Sequence, residues 1–279
     1  LADVAKIHEP DRYASALLVS NEAQRDGLLA IAAFAAELRR IPLAVKEPMM
    51  GEIRLQWWRD AIAAPTPASP EHAEGAAAHP VAAALLKAAA KFNLPSALLA
   101  AMTEARSFDL YPDTMPDEAT LDAYLMKTEG IVFDLSARVL GQSSPSQSLL
   151  TTASRAYGLS RLAMELPHAL ARGRLPLPAP RLEACGIDID ALLRGEHSTA
   201  VDKLRDSLLN DVRTAYDAAK PQVAALPRDA RAAFLPLALV PSSIKRLEAS
   251  GNAWLSQPPV LTPFGRYWRL WRAYRSGVI

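Results

Sequence analysis

The chain has 279 residues, half of them apolar, with a formal net charge of +1 and a single cysteine, Cys185. The near-zero charge excludes the broad electrostatic attraction by which nucleic-acid-binding domains hold phosphate backbones. The lone cysteine excludes an intrachain disulfide and a cysteine-rich zinc site. The histidines His8, His72, His79, His168 and His197 fall at no metal-ligand spacing. No apolar run reaches the roughly 18 residues needed to cross a bilayer. With no basic-then-apolar leader after Leu1, the expectation is a cytoplasmic protein.

Taken in chain order, the apolar residues recur at helical spacing. Leu28, Ile31, Phe34, Leu38 and Ile41 form one stripe. Ile53, Trp57 and Ala61 form a second, with Leu55, Trp58 and Ile62 beside them. Residues 65–80, rich in proline, alanine and small polar side chains, predict a loop. Leu121 to Leu140 predicts one long helix closed by Gly141 as its C′ residue. A serine-rich connection, Gln142 to Ser148, precedes a helix carrying Leu159, Leu162, Leu166 and Leu170. Pro176 to Pro180 predicts a rigid linker. Helices are then expected over Val201 to Val223, Phe234 to Leu247 and Phe264 to Tyr274. Strand-like alternation is nearly absent and no compositional break marks a second domain, so the reading is one all-α domain over residues 1–279.

The last of these segments is chemically distinct. Arg266, Arg269, Arg272 and Arg275 repeat every third residue, interleaved with Tyr267, Trp268, Trp271 and Tyr274. The expectation is a helix basic on one side and aromatic on the other, suited to a membrane surface or an acidic partner.

Several motifs run in order along the chain: Asp11-Arg12-Tyr13, the stretch from Arg25-Asp26 to Phe34, and Glu47 to Asp60 with its string GEIRLQWWRD. They continue with Tyr124 to Gly130, Val139-Leu140-Gly141, Tyr157-Gly158 and Arg172 to Pro178 (RGRLPLP). Together they resemble the squalene/phytoene synthase family. The resemblance implies an all-α isoprenoid-synthase-type helical bundle around a central cavity. It also implies head-to-head condensation of two prenyl diphosphates, with magnesium held by two acidic motifs on facing helices. Magnesium favours hard oxygen ligands in octahedral geometry, and carboxylates at i and i+4 share one helix face.

Alignment on Phe34 puts the family's first acid pair on Arg39 and Arg40, leaving only Glu37 nearby. Alignment on Arg172-Gly173-Arg174 puts the second motif on Arg161, Met164-Glu165 and His168-Ala169. Glu37 and Glu165 are therefore the candidate catalytic carboxylates. Arg39, Arg40, Trp57, Arg161, Arg172 and Arg174 are the candidate substrate-binding residues, with the arginines forming a basic mouth over an apolar interior walled by Trp57, Phe133, Leu162 and Leu166. No metal site is expected, and a guanidinium beside the site would repel Mg²⁺. The expectation is a catalytically silent protein, similar to the branch of the family that contains the mitochondrial complex I assembly factor. Such a protein would bind a prenyl diphosphate or lipid, or respiratory complex I subunits, in the cytoplasm or peripherally on the inner membrane. The alternative is an active prenyltransferase that uses Mg²⁺ and arginine to hold diphosphate.

Overall fold

The computed structural model describes residues 1–63, 78–142 and 144–279. Fourteen α-helices are named here in chain order. They are α1 (Ala2–His8), α2 (Pro10–Ala16), α3 (Glu22–Ala44), α4 (Pro48–Ala63), α5 (Pro80–Phe92), α6 (Ser96–Ala105) and α7 (Glu118–Leu125). After these come α8 (Ile131–Val139), α9 (Gln147–Leu170), α10 (Ala179–Cys185), α11 (Ile189–Leu193), α12 (Thr199–Ala224), α13 (Val240–Ser250) and α14 (Pro263–Ser276). The all-α expectation holds: among the described residues the only extended pairing is an isolated bridge between Met115 and Pro178. Residues 65–77 of the expected loop lie outside the described residues. Its last residues, His79 and Pro80, cap and open α5, with His79 Nδ1 accepting from the Ala82 N–H at 3.3 Å.

The chain divides into two compact units. The first comprises Leu1–Leu110, Ile131–Pro145 and Pro227–Ala233; the second comprises Tyr111–Gly130, Ser146–Leu226 and Phe234–Ile279. In the first, α3 is the central helix, packed by α1, α2, α4, α5 and α8. Asn21 caps it by accepting from the Gln24 N–H at 3.0 Å, and Ile31, Phe34 and Leu38 are fully buried. On α4 the buried stripe is Gly51, Leu55, Trp58 and Ile62, whereas Ile53 is exposed and Trp57 half-buried. The apolar residues of α4 cover more than one face, so spacing alone does not choose between the two stripes, and Ala61 of the first is buried with the second. Gly51 settles the choice, because its missing side chain admits Leu110.

In the second unit α9 and α12 form the main helix pair, burying Ala153, Ala156, Leu159 and Ala163 on one and Leu204, Leu208, Val212 and Ala219 on the other. Gly158 allows α9 to approach its neighbours closely: a Cβ there would lie 2.6 Å from Leu125 and 3.3 Å from Glu129. A polar network ties α7, α9, α10 and α12 together. Arg181 grips both oxygens of Glu118 at 2.7 and 2.8 Å and Asp211 at 2.6 Å, while Arg155 bonds Asp211 at 2.9 Å and pairs with Asp122. Burial opposes protonation of Arg181, but its bonds to Glu118 and Asp211 outweigh that and raise its pKa above the usual arginine value.

Three predicted elements differ in detail. The long helix expected from Leu121 to Leu140 is α7, a five-residue π turn over Met126–Gly130, and α8. It ends as predicted at Gly141: φ is +90° there, and the Gly141 and Gln142 N–H groups return to the Arg138 and Ala137 carbonyls in a Schellman arrangement. Pro176 to Pro180 is not a linker throughout, since Pro178 and Pro180 start α10, where a missing N–H costs nothing. The helix expected over Phe234 to Leu247 is a 3-10 segment, Ala230–Leu239, followed by α13. Pro236 removes an N–H inside the 3-10 segment, and Pro241 sits in the first turn of α13, where a missing N–H costs nothing.

Candidate functional site

The candidate residues divide between the two units. In the first unit, Arg39 and Arg40 sit near the C-terminal end of α3. Glu9, between α1 and α2, is only 2% exposed and forms ion pairs with Arg12, whose Nε lies at 3.2 Å, and Arg39, whose Nη1 lies at 3.6 Å. The Arg12 guanidinium also lies 5.0 Å from the centre of the Phe133 ring, a cation–π contact. Glu37 meets Arg40 Nη1 at 3.6 Å, one helical turn away. Two carboxylates thus stand among three guanidiniums. His8 borders the group, and its pKa is lowered from 6.5, first by burial and then by Arg40 and Arg39, against the opposing pull of Glu37 and Glu9.

This gives a pH prediction with a definite sign. The unfolded chain takes up the His8 proton at higher pH than the folded one. The stability contribution is therefore complete above 6.5 and is lost as pH falls from there toward the folded value. The His8→Gln variant should show a smaller drop in urea midpoint across that window than the parent; an equal drop would assign the dependence to other groups.

Trp57 belongs to an aromatic cluster rather than to the charged group. Its ring stands edge-on to Trp58 at 5.0 Å and 5.1 Å from the His79 ring, and Trp58 packs on Phe34 at 5.1 Å. Phe133 is fully buried in the same unit. The family-like string on α4 has a structural role of its own. Glu52 accepts from Ser107 Oγ at 3.1 Å and pairs with Arg59 at 3.7 Å.

In the second unit the site is organised by Arg161 on α9. Its Nη1 lies 3.3 Å from Glu129 Oε1, its Nε lies 3.8 Å from Glu165 Oε1, and its guanidinium is 5.4 Å from the Tyr157 ring centre. Glu129 is buried and carried by the π turn. Arg161 and Glu165 are thus brought together. Leu166 is buried on the same helix, and Leu162 is half-buried. Arg172 lies past the end of α9, exposed, and donates to the His168 carbonyl at 3.1 Å, a contact that satisfies a helix C-terminus. Arg174 follows Gly173 in the same turn, and its backbone N–H returns to the Ala169 carbonyl.

Glu9, Arg12 and Glu129 are the members of these clusters that the sequence reading did not single out. Asp11-Arg12-Tyr13 and the YLMKTEG segment pointed at their neighbourhoods.

The chain has the all-α isoprenoid synthase fold. It superposes on the crystal structure of squalene synthase HpnC from Alicyclobacillus acidocaldarius with a TM-score of 0.71, covering 89% of this chain and 92% of that one at 17% identity. The sequence profile of the squalene/phytoene synthases matches residues 6–266, and the chain belongs to that family. Its relatives include proteins of two kinds. The mouse NADH dehydrogenase (ubiquinone) complex I, assembly factor 6 is 24% identical over 267 residues, spanning 94% of this chain and 78% of that protein. The presqualene diphosphate synthase of Zymomonas mobilis is 33% identical over 111 residues, 39% of this chain and 38% of that one.

The residues present do not fit the magnesium cage the family resemblance implies. The positions to which motif alignment assigns the first acid pair hold Arg39 and Arg40, and Glu37 and Glu165 each stand against an arginine. Among the described residues no group of three or more His, Cys, Asp or Glu side chains is placed to hold a metal ion. No helix among them is long and apolar enough to cross a membrane.

Proposed function

We propose that this chain is a non-catalytic member of the squalene/phytoene synthase family that acts through a protein partner in the assembly of respiratory complex I. The observation that carries the reading is the pairing of its carboxylates. Glu37 stands against Arg40, and Glu165 shares Arg161 with the buried Glu129, so each carboxylate has beside it a guanidinium that repels a divalent cation. Metal charge at a leaving oxygen supplies several kcal/mol of transition-state stabilisation, and arginines at fixed positions hold an anion without supplying that Lewis-acid chemistry. Similarity to an assembly factor along nearly the whole chain supports the same reading.

The purified chain, incubated with farnesyl or geranylgeranyl diphosphate and Mg²⁺, is expected to yield no squalene, phytoene or presqualene-type product above a boiled control. In the cell that makes it, deletion should deplete fully assembled complex I on native gels and leave the isoprenoid profile unchanged. Product formation in vitro, or an altered isoprenoid profile with normal complex I, overturns the proposal in favour of an active prenyltransferase.

A further inference from the structure

The C-terminal helix α14 is the most unusual surface of the second unit. Only Leu270 and Ala273 are buried along it. Phe264, Trp268 and Trp271 are 82%, 51% and 39% exposed. They recur at i, i+4 and i+7, so they occupy one face, and Arg275 at i+11 extends it. Trp268 and Trp271 stack at 5.1 Å, and the Arg275 guanidinium lies 5.1 Å from the Trp271 ring centre. The expected separation of basic and aromatic sides is therefore not what the helix shows. Exposed Arg275 sits within the aromatic face and exposed Arg272 at its edge, because a three-residue repeat drifts around a helix of 3.6 residues per turn.

An open cavity of about 500 Å³ flanks this face. Its lining includes Tyr216, Ser242, Lys245, Arg269, Arg272 and Ser276. Three cations and three hydroxyls line it, and among the described residues none of the three cations has an acidic partner. Arg269 is held in place by a 2.9 Å bond from its Nη1 to the Gly265 carbonyl. Helix α14 itself carries four arginines and no acid.

We propose that α14 is a peripheral membrane-docking element: its Phe264–Trp268–Trp271 face enters the headgroup layer of an anionic bilayer, and the Lys245–Arg269–Arg272 cleft receives a lipid phosphate. Exposed tryptophan and tyrosine match the interfacial zone, where an apolar ring and a polar edge are both accommodated. The arginine stems cover apolar surface while their heads reach phosphate. Protein-binding patches place their charges at a polar rim around an apolar centre. Here the Arg275 guanidinium lies inside the aromatic patch, which is the arrangement a headgroup layer accepts. The inference is independent of whether the chain assembles complex I.

The test is co-sedimentation of the full chain with unilamellar vesicles of phosphatidylcholine alone, or of equal parts phosphatidylcholine and phosphatidylglycerol. Binding is expected to the anionic vesicles only, to weaken with added salt, and to be accompanied by a blue shift of tryptophan fluorescence. Both the exposed-residue double variant Trp268→Ser/Trp271→Ser and the double variant Lys245→Glu/Arg272→Glu should retain the parental helical spectrum and bind at least roughly tenfold more weakly. Excess soluble glycerol phosphate should not release the protein. Equal binding to both vesicle types, no binding to either, unchanged binding by either variant, or release by glycerol phosphate overturns the proposal. So does capture by polyglutamate without vesicle binding, which would assign the surface to an acidic protein.

Discussion

Replacing Glu9 with alanine is expected to destabilise the fold by about 3–5 kcal/mol, the cost of breaking a buried ion pair from one side. Glu9 is 2% exposed and is shared by Arg12, itself 6% exposed, and Arg39. Its removal takes a carboxylate from beside two guanidiniums, one of them the buried Arg12. Glu9→Gln should fall between parent and Glu9→Ala, since an amide oxygen still accepts hydrogen bonds but carries no charge. The double variant Glu9→Ala/Arg12→Ala should be milder than the sum of its parts, because the uncompensated cation leaves with its partner. Urea unfolding measures all three, and a loss below about 1 kcal/mol for Glu9→Ala would place the cluster with ordinary surface pairs. The same geometry changes what a charge reversal at the expected basic mouth would mean. Arg39→Glu would set a carboxylate against Glu9, so lost ligand binding in that variant would report on folding before it reported on a site.

A second large effect is expected at Trp254, the largest fully buried side chain. Trp254→Ala should cost about 3–5 kcal/mol through the cavity it leaves. Trp254→Phe isolates a more specific term. The N–H of residue 167 would ordinarily bond the Ala163 carbonyl, but residue 167 is proline, inside α9. The carbonyl is taken instead by the Trp254 indole N–H at 3.0 Å. Phenylalanine keeps most of the apolar volume and strands that acceptor, for a further loss of about 1–3 kcal/mol. Pro167→Ala restores the missing donor, so it should recover part of the Trp254→Phe deficit. Thermal or urea unfolding of the two single variants and the double variant gives the coupling, and strict additivity would show that the hydrogen bond contributes nothing.

Helix type and order were legible in the sequence because apolar residues at three- and four-residue spacing run through most of the chain. The Gly141 terminus was legible because left-handed backbone has a residue preference. What failed was phase. On α4, Ile53 and Trp57 fit a stripe as well as Leu55 and Trp58 do, and only the approach of Leu110 to Gly51 decides between them. The π turn at Met126–Gly130 adds a residue that a fixed helical period cannot register. Arg39, Arg40 and Arg161 were placed correctly on their helices by motif alignment, but their environment was not. Arg161 finds Glu129 at a separation of 32 residues, and a charged residue's distant partner leaves no local trace. Arg172, picked out by motif, is exposed and donates to the His168 carbonyl at the end of α9, a contact no motif reports.

The bond between Trp254 and Ala163 also bears on how the chain leaves the ribosome. Its two ends are separated by 91 residues. At about 5–20 residues per second, the indole emerges roughly 5–18 s after the carbonyl it satisfies. Throughout that interval the proline-interrupted turn of α9 must keep its acceptor hydrated, and so cannot be sealed into a dry interior. Synthesis of the second unit therefore ends with a late closure, and nascent chains stalled before residue 254 should be digested at this turn by protease while completed chains resist.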